Sequence, residues 1–328
     1  MKDKPSFLLV TGCRRSGTTF LGNLVGTLSN SSYVEEPFNK LRGLKTIPDV
    51  WYPYLTDEIV NKELKRDLNR FFKLKKIPFR HSINNNDTGY LDCNTTVGKV
   101  ILDVFKNQSG EPLLKRILRV VLKNHHYLSY TKTRYKSNLN YAVIKDALIA
   151  LSTPYIADNY NVKTVFIYRN PEAYFYSMVK QNWYIELTDF QKQNQLLKDY
   201  PFVKNLVEEE HTKDNRVINE WIIVNKFLLE IYKKHDVICI SQEELAKKPI
   251  EQMEKLCAKL GINSNELDYD KIKKMTTAST VNPKNIKNVN RNSIETLKSW
   301  KGKLTEQQQH MIKQKTESIL SELETIKL

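Results

Sequence analysis

The residues best suited to chemistry lie near the start of the chain. Gly12 to Thr19 reads GCRRSGTT, between the apolar runs Phe7–Val10 and Phe20–Leu21. A strand, a glycine loop and a helix in that order bring several backbone N–H groups to a helix N-terminus. There they carry partial positive charge and lack intrahelical acceptors, so the end of the helix binds an anion. Gly17 lets the main chain come close to that anion, and the hydroxyls of Ser16, Thr18 and Thr19 add donors. The spacing approaches the phosphate-binding pattern G-x-x-x-x-G-K-[ST], with Gly12, Gly17 and Thr19 in register. Thr18, however, stands where that pattern has the lysine that reaches the β/γ-phosphates of a nucleoside triphosphate. Two arginines, Arg14 and Arg15, sit inside the loop instead. Tyr168, at the end of a later apolar run, is followed by Arg169 and not by a metal-binding aspartate. The loop therefore suits a ligand with fewer phosphates, and no metal is expected.

A second stretch, TVFIYRNPEAYFYSMV, places Arg169 just beyond a buried strand and Ser177 eight positions later. Pro171 starts the following helix, as proline does at a first helical position. In a parallel α/β sheet ligands bind at the carboxyl ends of strands, where an arginine can fork onto a phosphate.

The elements that must carry these residues follow from periodicity. Phe7–Val10, Tyr33–Glu36, Tyr141–Ile144, Val162–Tyr168 and Val237–Ile240 read as strands. Helices are predicted over Thr19–Leu28, Asp57–Lys76, Glu111–Asn124, residues 188–210 in pieces, Asp214–Lys233, Pro249–Leu260 and about 304–326. Gly261 stops the sixth of these. The polar, glycine-free stretch Thr276–Ser293 reads as a loop. Short apolar strands alternating with helices imply an α/β fold of three layers, α/β/α, around a central parallel sheet. No repeat or linker divides the chain, so one domain over residues 1–328 is expected.

At 328 residues, 40% hydrophobic and 27% charged, the composition is that of a globular protein. The net charge of +15 favours anionic partners, although no long basic block is present. The helix predicted over Glu111–Asn124 sets Lys115, Arg116, Arg119 and Lys123 opposite an apolar face. It reads as a basic-faced core helix, with a membrane-surface helix as the alternative. No run approaches the ~20 apolar residues of a membrane span, and no signal region opens the chain, so a cytoplasmic location is expected. Cys13, Cys93, Cys239 and Cys257 show no metal or disulfide spacing and are expected reduced, Cys257 in a helix core. The sequons at Asn30 and Asn94 carry little weight without a secretory signal.

Taken together, the two stretches resemble the sulfotransferases that use 3′-phosphoadenosine 5′-phosphosulfate (PAPS). RRSGTTFL is similar to their 5′-phosphosulfate motif, in the arginine form common among carbohydrate sulfotransferases. IYRNPEAYFYS is similar to their 3′-phosphate motif. SQEELAKKPIEQMEKLCAKLGI and RNSIETLKSWKGKLT resemble later family segments, so the resemblance runs from one end of the chain to the other. It implies the P-loop-like sulfotransferase fold. PAPS is implied as donor, with no metal, and a hydroxyl-bearing acceptor such as a glycan or glycolipid. Peripheral membrane contact is compatible with that acceptor, and nucleic acid is not the expected partner. The missing lysine then has an explanation, because the donor has no γ-phosphate to hold.

The resemblance also implies roles. Arg15 aligns with the catalytic basic residue beside the oxygen that bridges phosphorus and sulfur. Ser16, Gly17, Thr18 and Thr19 hold the 5′-phosphate, with Arg14 either helping or only solvated. Arg169 and Ser177 hold the 3′-phosphate, and the Arg291–Ser293 loop closes over the donor. In YVEEPFN, Glu36 before Pro37 stands where several carbohydrate and bacterial members place the base, and a raised pKa would suit that work. Adjacent strand residues face opposite ways, so one of Glu35 and Glu36 is expected in the pocket, with Glu36 favoured by position. His81, His125 and His126 are alternative bases, and Lys145–Asp146 at a strand end is a further candidate for the lining. Two other readings stay open: a small-molecule kinase needing magnesium and ATP, and a non-enzymatic basic protein binding nucleic acid or membrane. The unmatched regions, about 40–140 and 180–215, leave the acceptor undetermined.

Overall fold

The computed structural model describes residues 5–80, 112–113, 124–184, 187–208, 212–277 and 293–328. Five strands form one parallel sheet in the order β2-β3-β1-β4-β5. They are β1 Ser6–Thr11, β2 Ser31–Glu35, β3 Tyr141–Lys145, β4 Val162–Tyr168 and β5 Val237–Ser241. Register pairs Val10 with Lys145 and with Val165, so the carboxyl ends of β3, β1 and β4 lie side by side. The chain runs from β1 to β2 on one side of β1 and crosses to β4 on the other. The β1–β4 boundary is therefore a topological switch point, where α/β sheets take their ligands.

Helix α1 (Thr18–Val25) follows β1, and α2 (Lys62–Phe71) and α3 (His125–Arg134) precede β3. After β3 come a 3₁₀ turn (Ala147–Ser152) and α4 (Thr153–Asn159). Helix α5 (Pro171–Lys180) follows β4, then α6 (Thr188–Gln191), α7 (Asn194–Asp199), α8 (Pro201–Glu208) and the long α9 (Lys213–Tyr232). The rest is α10 (Gln242–Lys247), α11 (Pro249–Leu260), α12 (Tyr269–Thr277), α13 (Ser293–Lys298) and α14 (Glu306–Ile326).

Strand alternation decides the layers. Leu8, Val10, Val165 and Ile167 point to one face and pack against Leu21 and Leu24 of α1 and Met253 and Leu256 of α11. Phe7 and Leu9 point to the other face, against Leu64, Leu68 and Phe71 of α2. Further along that face, Phe166 and Tyr168 meet Trp221, Val224 and Leu228 of α9 and Ile319 and Leu323 of α14. The sheet is thus covered on both sides, as expected of a parallel sheet with apolar strands.

The punctuation holds where the residues demand it. Pro171 opens α5, and the Asn170 side chain accepts from Glu172 N and Ala173 N. Gly261, at φ 68°, closes α11. Two predicted helices are shorter than expected. The periodic span Asp57–Lys76 yields only Lys62–Phe71, because Asn61 caps a new start by accepting from Leu64 N, while Thr56–Val60 forms its own turn. Helix α1 stops at Val25, with Gly26 as its cap. The predicted loop from Thr276 gives way to helix through Thr277, and α13 begins at Ser293. Most of the predicted helix Glu111–Asn124, including Lys115, Arg116, Arg119 and Lys123, lies outside the described residues, as do Cys93, His81 and Arg291. Cys13, Cys239 and Cys257 are buried free thiols. Among the described residues, no helix is long and apolar enough to cross a membrane.

Candidate active site

The loop after β1 has a backbone that its sequence alone permits. Gly12 has φ 151°, and a Cβ there would lie 2.2 Å from the Ile167 carbonyl oxygen of β4. No side chain fits that approach. Gly17, at φ 98°, faces the Gln242 side chain at the start of α10. Between them Arg15 takes the left-handed conformation, at φ 65°, a strain of about 1–2 kcal/mol for a non-glycine residue. Strain of this kind persists only where surrounding contacts fix it. Ser16 N donates to Cys13 O at 3.1 Å. The first turn of α1 has no side-chain cap, which leaves its N–H groups for a ligand.

The loop meets the start of α5. Arg15 Nε donates to Ser177 Oγ at 3.1 Å, and Arg169 Nη1 donates to the Arg15 carbonyl at 3.1 Å. Arg15, Arg169 and Ser177, 162 positions apart at the extremes of this triad, are thus one cluster. The Arg15 guanidinium also lies 5.2 Å from the centroid of the Trp183 ring, a cation–π distance. Burial and the neighbouring Arg15 charge lower the pKa of Arg169 to about 10, against a smaller opposite pull from Glu243. Arg169 Nε and Ser16 Oγ are buried without a hydrogen-bond partner. A second cation close by and a buried donor without a partner are features that an anion would complete.

Arg14 points elsewhere. Its Nε and Nη2 donate to Glu220 Oε1 and Oε2 at 2.7 and 3.1 Å. It is not simply a solvated charge, because a fully buried carboxylate on α9 holds it.

The second group of side chains gathers at the ends of β2 and β3. Glu35 ends β2, and Glu36 follows with φ 34°. That left-handed residue turns the chain back, so the strand rule of opposite faces no longer applies. Both carboxylates converge on Lys145: Glu36 accepts from its Nζ, and Glu35 Oε1 is 4.0 Å away. Lys145 and Glu35 are both 2% exposed in their side chains, against 18% for Glu36, so Glu36 is the carboxylate nearer solvent. Asn39 Nδ2 donates to Glu36 Oε2 at 3.0 Å. Burial would raise the Glu36 pKa, but the Lys145 charge outweighs it, and the carboxyl is held low, at about 2. A raised pKa would suit a base, but the lysine partner sets the opposite shift here.

Asp146 lies beside this pair. Its carboxylate accepts from Phe38 N and Leu148 N at 2.8 and 2.9 Å. Burial and the Glu36 charge push its pKa up to about 7. His126 Nδ1 is 2.8 Å from the Glu35 carbonyl oxygen. A carbonyl only accepts, so Nδ1 carries the proton, and Nε2 is a buried lone pair without a partner. Burial holds the His126 pKa low, at about 4, against the pull of Glu36. His125 stacks on it with ring centroids 4.1 Å apart.

A sulfotransferase-domain family model matches residues 5–324. The chain belongs to the sulfotransferase family. It is an enzyme of sulfuryl transfer, and PAPS is the general donor of that family. No curated protein matches the sequence significantly. Among solved structures, the chain is similar to a sulfotransferase domain from the curacin biosynthetic pathway (14% identity, 98% of each chain covered, TM-score 0.47). It is also similar to a sulfotransferase from Alicyclobacillus acidocaldarius (12% identity, 98% and 95% covered, TM-score 0.43). A third is the sulfotransferase domain of the Synechococcus PCC 7002 olefin synthase (11% identity, 99% and 96% covered, TM-score 0.43).

In this sulfotransferase, sequence reasoning brought Arg15, Ser16, Gly17, Thr18 and Thr19 to one loop, and Arg169 and Ser177 to its neighbour. Of the closing loop, Arg291 is outside the described residues, and Ser293 is described only as the first residue of α13. The sequence reading missed Trp183, Tyr52, Tyr174 and Glu220. For Glu220 a signal was available: an acidic residue inside the apolar run VINEWIIV, where burial demands a partner.

Proposed function

We propose that this sulfotransferase takes PAPS as donor and transfers the sulfuryl group to a hydroxyl of a carbohydrate or glycolipid, acting as one domain over residues 1–328. The observation that carries the donor is the meeting of Arg15, Arg169 and Ser177 at the switch point, with a buried guanidinium nitrogen left unpaired. The donor supplies an activated sulfuryl group on a phosphate leaving group, with a separate 3′-phosphate as a handle.

On this reading the N–H groups at the start of α1, with Ser16, Gly17, Thr18 and Thr19, hold the 5′-phosphate. Arg15, a fixed cation, stabilises charge on the leaving phosphate and does not donate a proton. Arg169 and Ser177 hold the 3′-phosphate. Glu36 takes the acceptor proton. Its carboxyl is ionised at any working pH, but it is a weak base while Lys145 holds it. Movement of Lys145 toward the transferring group would raise its basicity at the moment of transfer. A second reading of the base rests on His126, whose neutral imidazole keeps an unpartnered Nε2 in the same cluster. The carbohydrate or glycolipid acceptor is supported by the arginine form of the loop motif and by the net charge of +15. That charge also makes peripheral contact with an anionic membrane a reasonable setting.

The test of the donor needs no acceptor. The product nucleotide, 3′-phosphoadenosine 5′-phosphate, should raise the melting temperature without metal, by the equivalent of about 2.7 kcal/mol at a hundredfold excess over Kd. Adenosine 5′-phosphate should raise it less, and EDTA should change nothing. Stabilisation by ATP with magnesium, with no gain from the 3′-phosphate, would overturn the donor in favour of a kinase. Transfer of sulfur-35 over a panel of glycans, glycolipids and phenols then identifies the acceptor, and a phenol-only result rejects the carbohydrate.

A further inference from the structure

Two neighbouring residues of α9 touch the two arms of the anion site from behind. Glu220, fully buried, accepts four hydrogen bonds: two from Arg14 at 2.7 and 3.1 Å, one from Tyr52 Oη at 2.8 Å and one from Tyr174 Oη at 2.8 Å. Tyr52 Oη in turn accepts from Arg14 N at 2.9 Å. The carboxylate thus fixes the residue next to Arg15 by both side chain and main chain. Through Tyr174 it also fixes α5, the helix that carries Ser177 one turn further on. Next in sequence, the Trp221 indole N–H donates to the Arg169 carbonyl at 2.9 Å.

We propose that Glu220 and Trp221 are positioning residues that set the spacing between the two phosphate-binding arms, Glu220 for the Arg15 loop and Trp221 for Arg169. This inference rests on the assignment of Arg169 to the 3′-phosphate and of the loop to the 5′-phosphate. The two residues occupy successive positions of one helix, so the distance between the arms is fixed by a rigid element. The left-handed backbone at Arg15 needs such a clamp, because relaxation of φ from 65° would swing the guanidinium off Ser177. A buried carboxylate with four donors is fully satisfied, and its loss leaves the part-buried Arg14 without its partner.

The two contacts predict different losses. Glu220→Gln removes the charge behind the loop and should weaken 3′-phosphoadenosine 5′-phosphate and adenosine 5′-phosphate alike, by about tenfold. Trp221→Phe keeps an aromatic side chain in the core but removes the donor to Arg169. It should weaken only the 3′-phosphorylated nucleotide, about fivefold, and so lower the ratio of the two dissociation constants. Calorimetric titration of the whole 328-residue chain reads both, with Arg169→Ala as the reference that collapses the ratio. If the unmodified protein does not distinguish the two nucleotides, the donor assignment itself fails. If it does, and Arg169→Ala collapses the ratio, the positioning proposal stands alone to be judged. It is then overturned by variants that lower the melting temperature but bind both nucleotides as the unmodified protein does, since a merely structural role moves only stability. Should Glu220→Gln not fold, Tyr174→Phe removes one donor at the same carboxylate, and unchanged affinity for both nucleotides in that variant also overturns the proposal.

Discussion

The site has two halves with opposite electrostatic logic. At the β1–β4 boundary, Arg15 and Arg169 lie together with an unpaired donor and a depressed arginine pKa. At the ends of β2 and β3, Glu35 and Glu36 close on Lys145, with Asp146 and His126 alongside. The first half has an excess of positive charge. The second sets two carboxylates and Asp146 around one lysine and has protons to exchange. A transfer reaction needs both: a fixed field where the leaving group sits, and a group of adjustable basicity where the nucleophile sits.

The largest effect expected is on the paired half. Glu36→Gln should lower turnover on whichever acceptor the sulfur-35 panel selects by roughly 10²–10⁴-fold, with nucleotide affinity unchanged. Near-normal turnover in that variant, with a loss in His126→Gln, would move the base to the imidazole.

Next comes the lysine at the centre of this half. Lys145→Met leaves the buried Glu35 and the part-buried Glu36 without their cation, at a cost of about 3–5 kcal/mol. The pH dependence should invert with it. Held low, Glu36 now contributes stability above its unfolded pKa, near 4.5, that is lost as pH falls toward 2. Without Lys145 its folded pKa rises above the unfolded value, and stability is lost as pH rises. Urea denaturation at pH 5 and pH 8 checks the sign, and equal losses at both would show that Lys145 is not what holds Glu36 ionised.

The arginine half gives the third. Arg169→Ala should weaken 3′-phosphoadenosine 5′-phosphate by about a hundredfold, through loss of charge-assisted hydrogen bonds, and adenosine 5′-phosphate hardly at all. An equal loss for both nucleotides would place Arg169 on the 5′-phosphate.

The smallest effect separates two opposed titrations. His126, with its folded pKa held near 4, favours the folded state above about 6.5, and that contribution is lost as pH falls from there to 4. Asp146, with its folded pKa raised to about 7, contributes stability at low pH that is lost as pH rises from about 4 to 7. Between pH 4 and 6.5 the two slopes oppose each other. His126→Gln removes one, so its melting temperature should fall by a few degrees as pH rises across that window. A profile parallel to that of the unmodified protein would mean that the imidazole does not titrate there.

How much of this was legible follows the same division. The arginine half is written in two contiguous stretches, because a loop and a helix start carry their residues in fixed order. Gly12, Arg15 and Gly17, then Arg169 and Ser177, are visible as spacing. The strands were legible too, as short unbroken apolar runs such as Phe7–Val10, which a parallel sheet covered on both faces requires. The paired half was only partly visible. Glu36 was marked by its neighbour Pro37, but its left-handed turn onto Lys145 depends on the packing of β2 beside β3, over a hundred positions away. The role of Arg14 was hidden for the same reason. Its partner, Glu220, lies 206 positions on, and no local pattern pairs them. Helix ends were missed where a side chain, such as Asn61, restarted a helix that periodicity would have run through.

The placement of Trp183 over Arg15 has an optical consequence. The chain holds four tryptophans, and Trp183 is 43% exposed, beside the cation that a bound phosphate would draw inward. A guanidinium withdrawn from the ring changes the local field on the indole, and with it the colour and yield of its emission. The enzyme thus carries an intrinsic fluorophore beside Arg15, one whose signal should follow nucleotide arrival in a stopped-flow cuvette without any added dye.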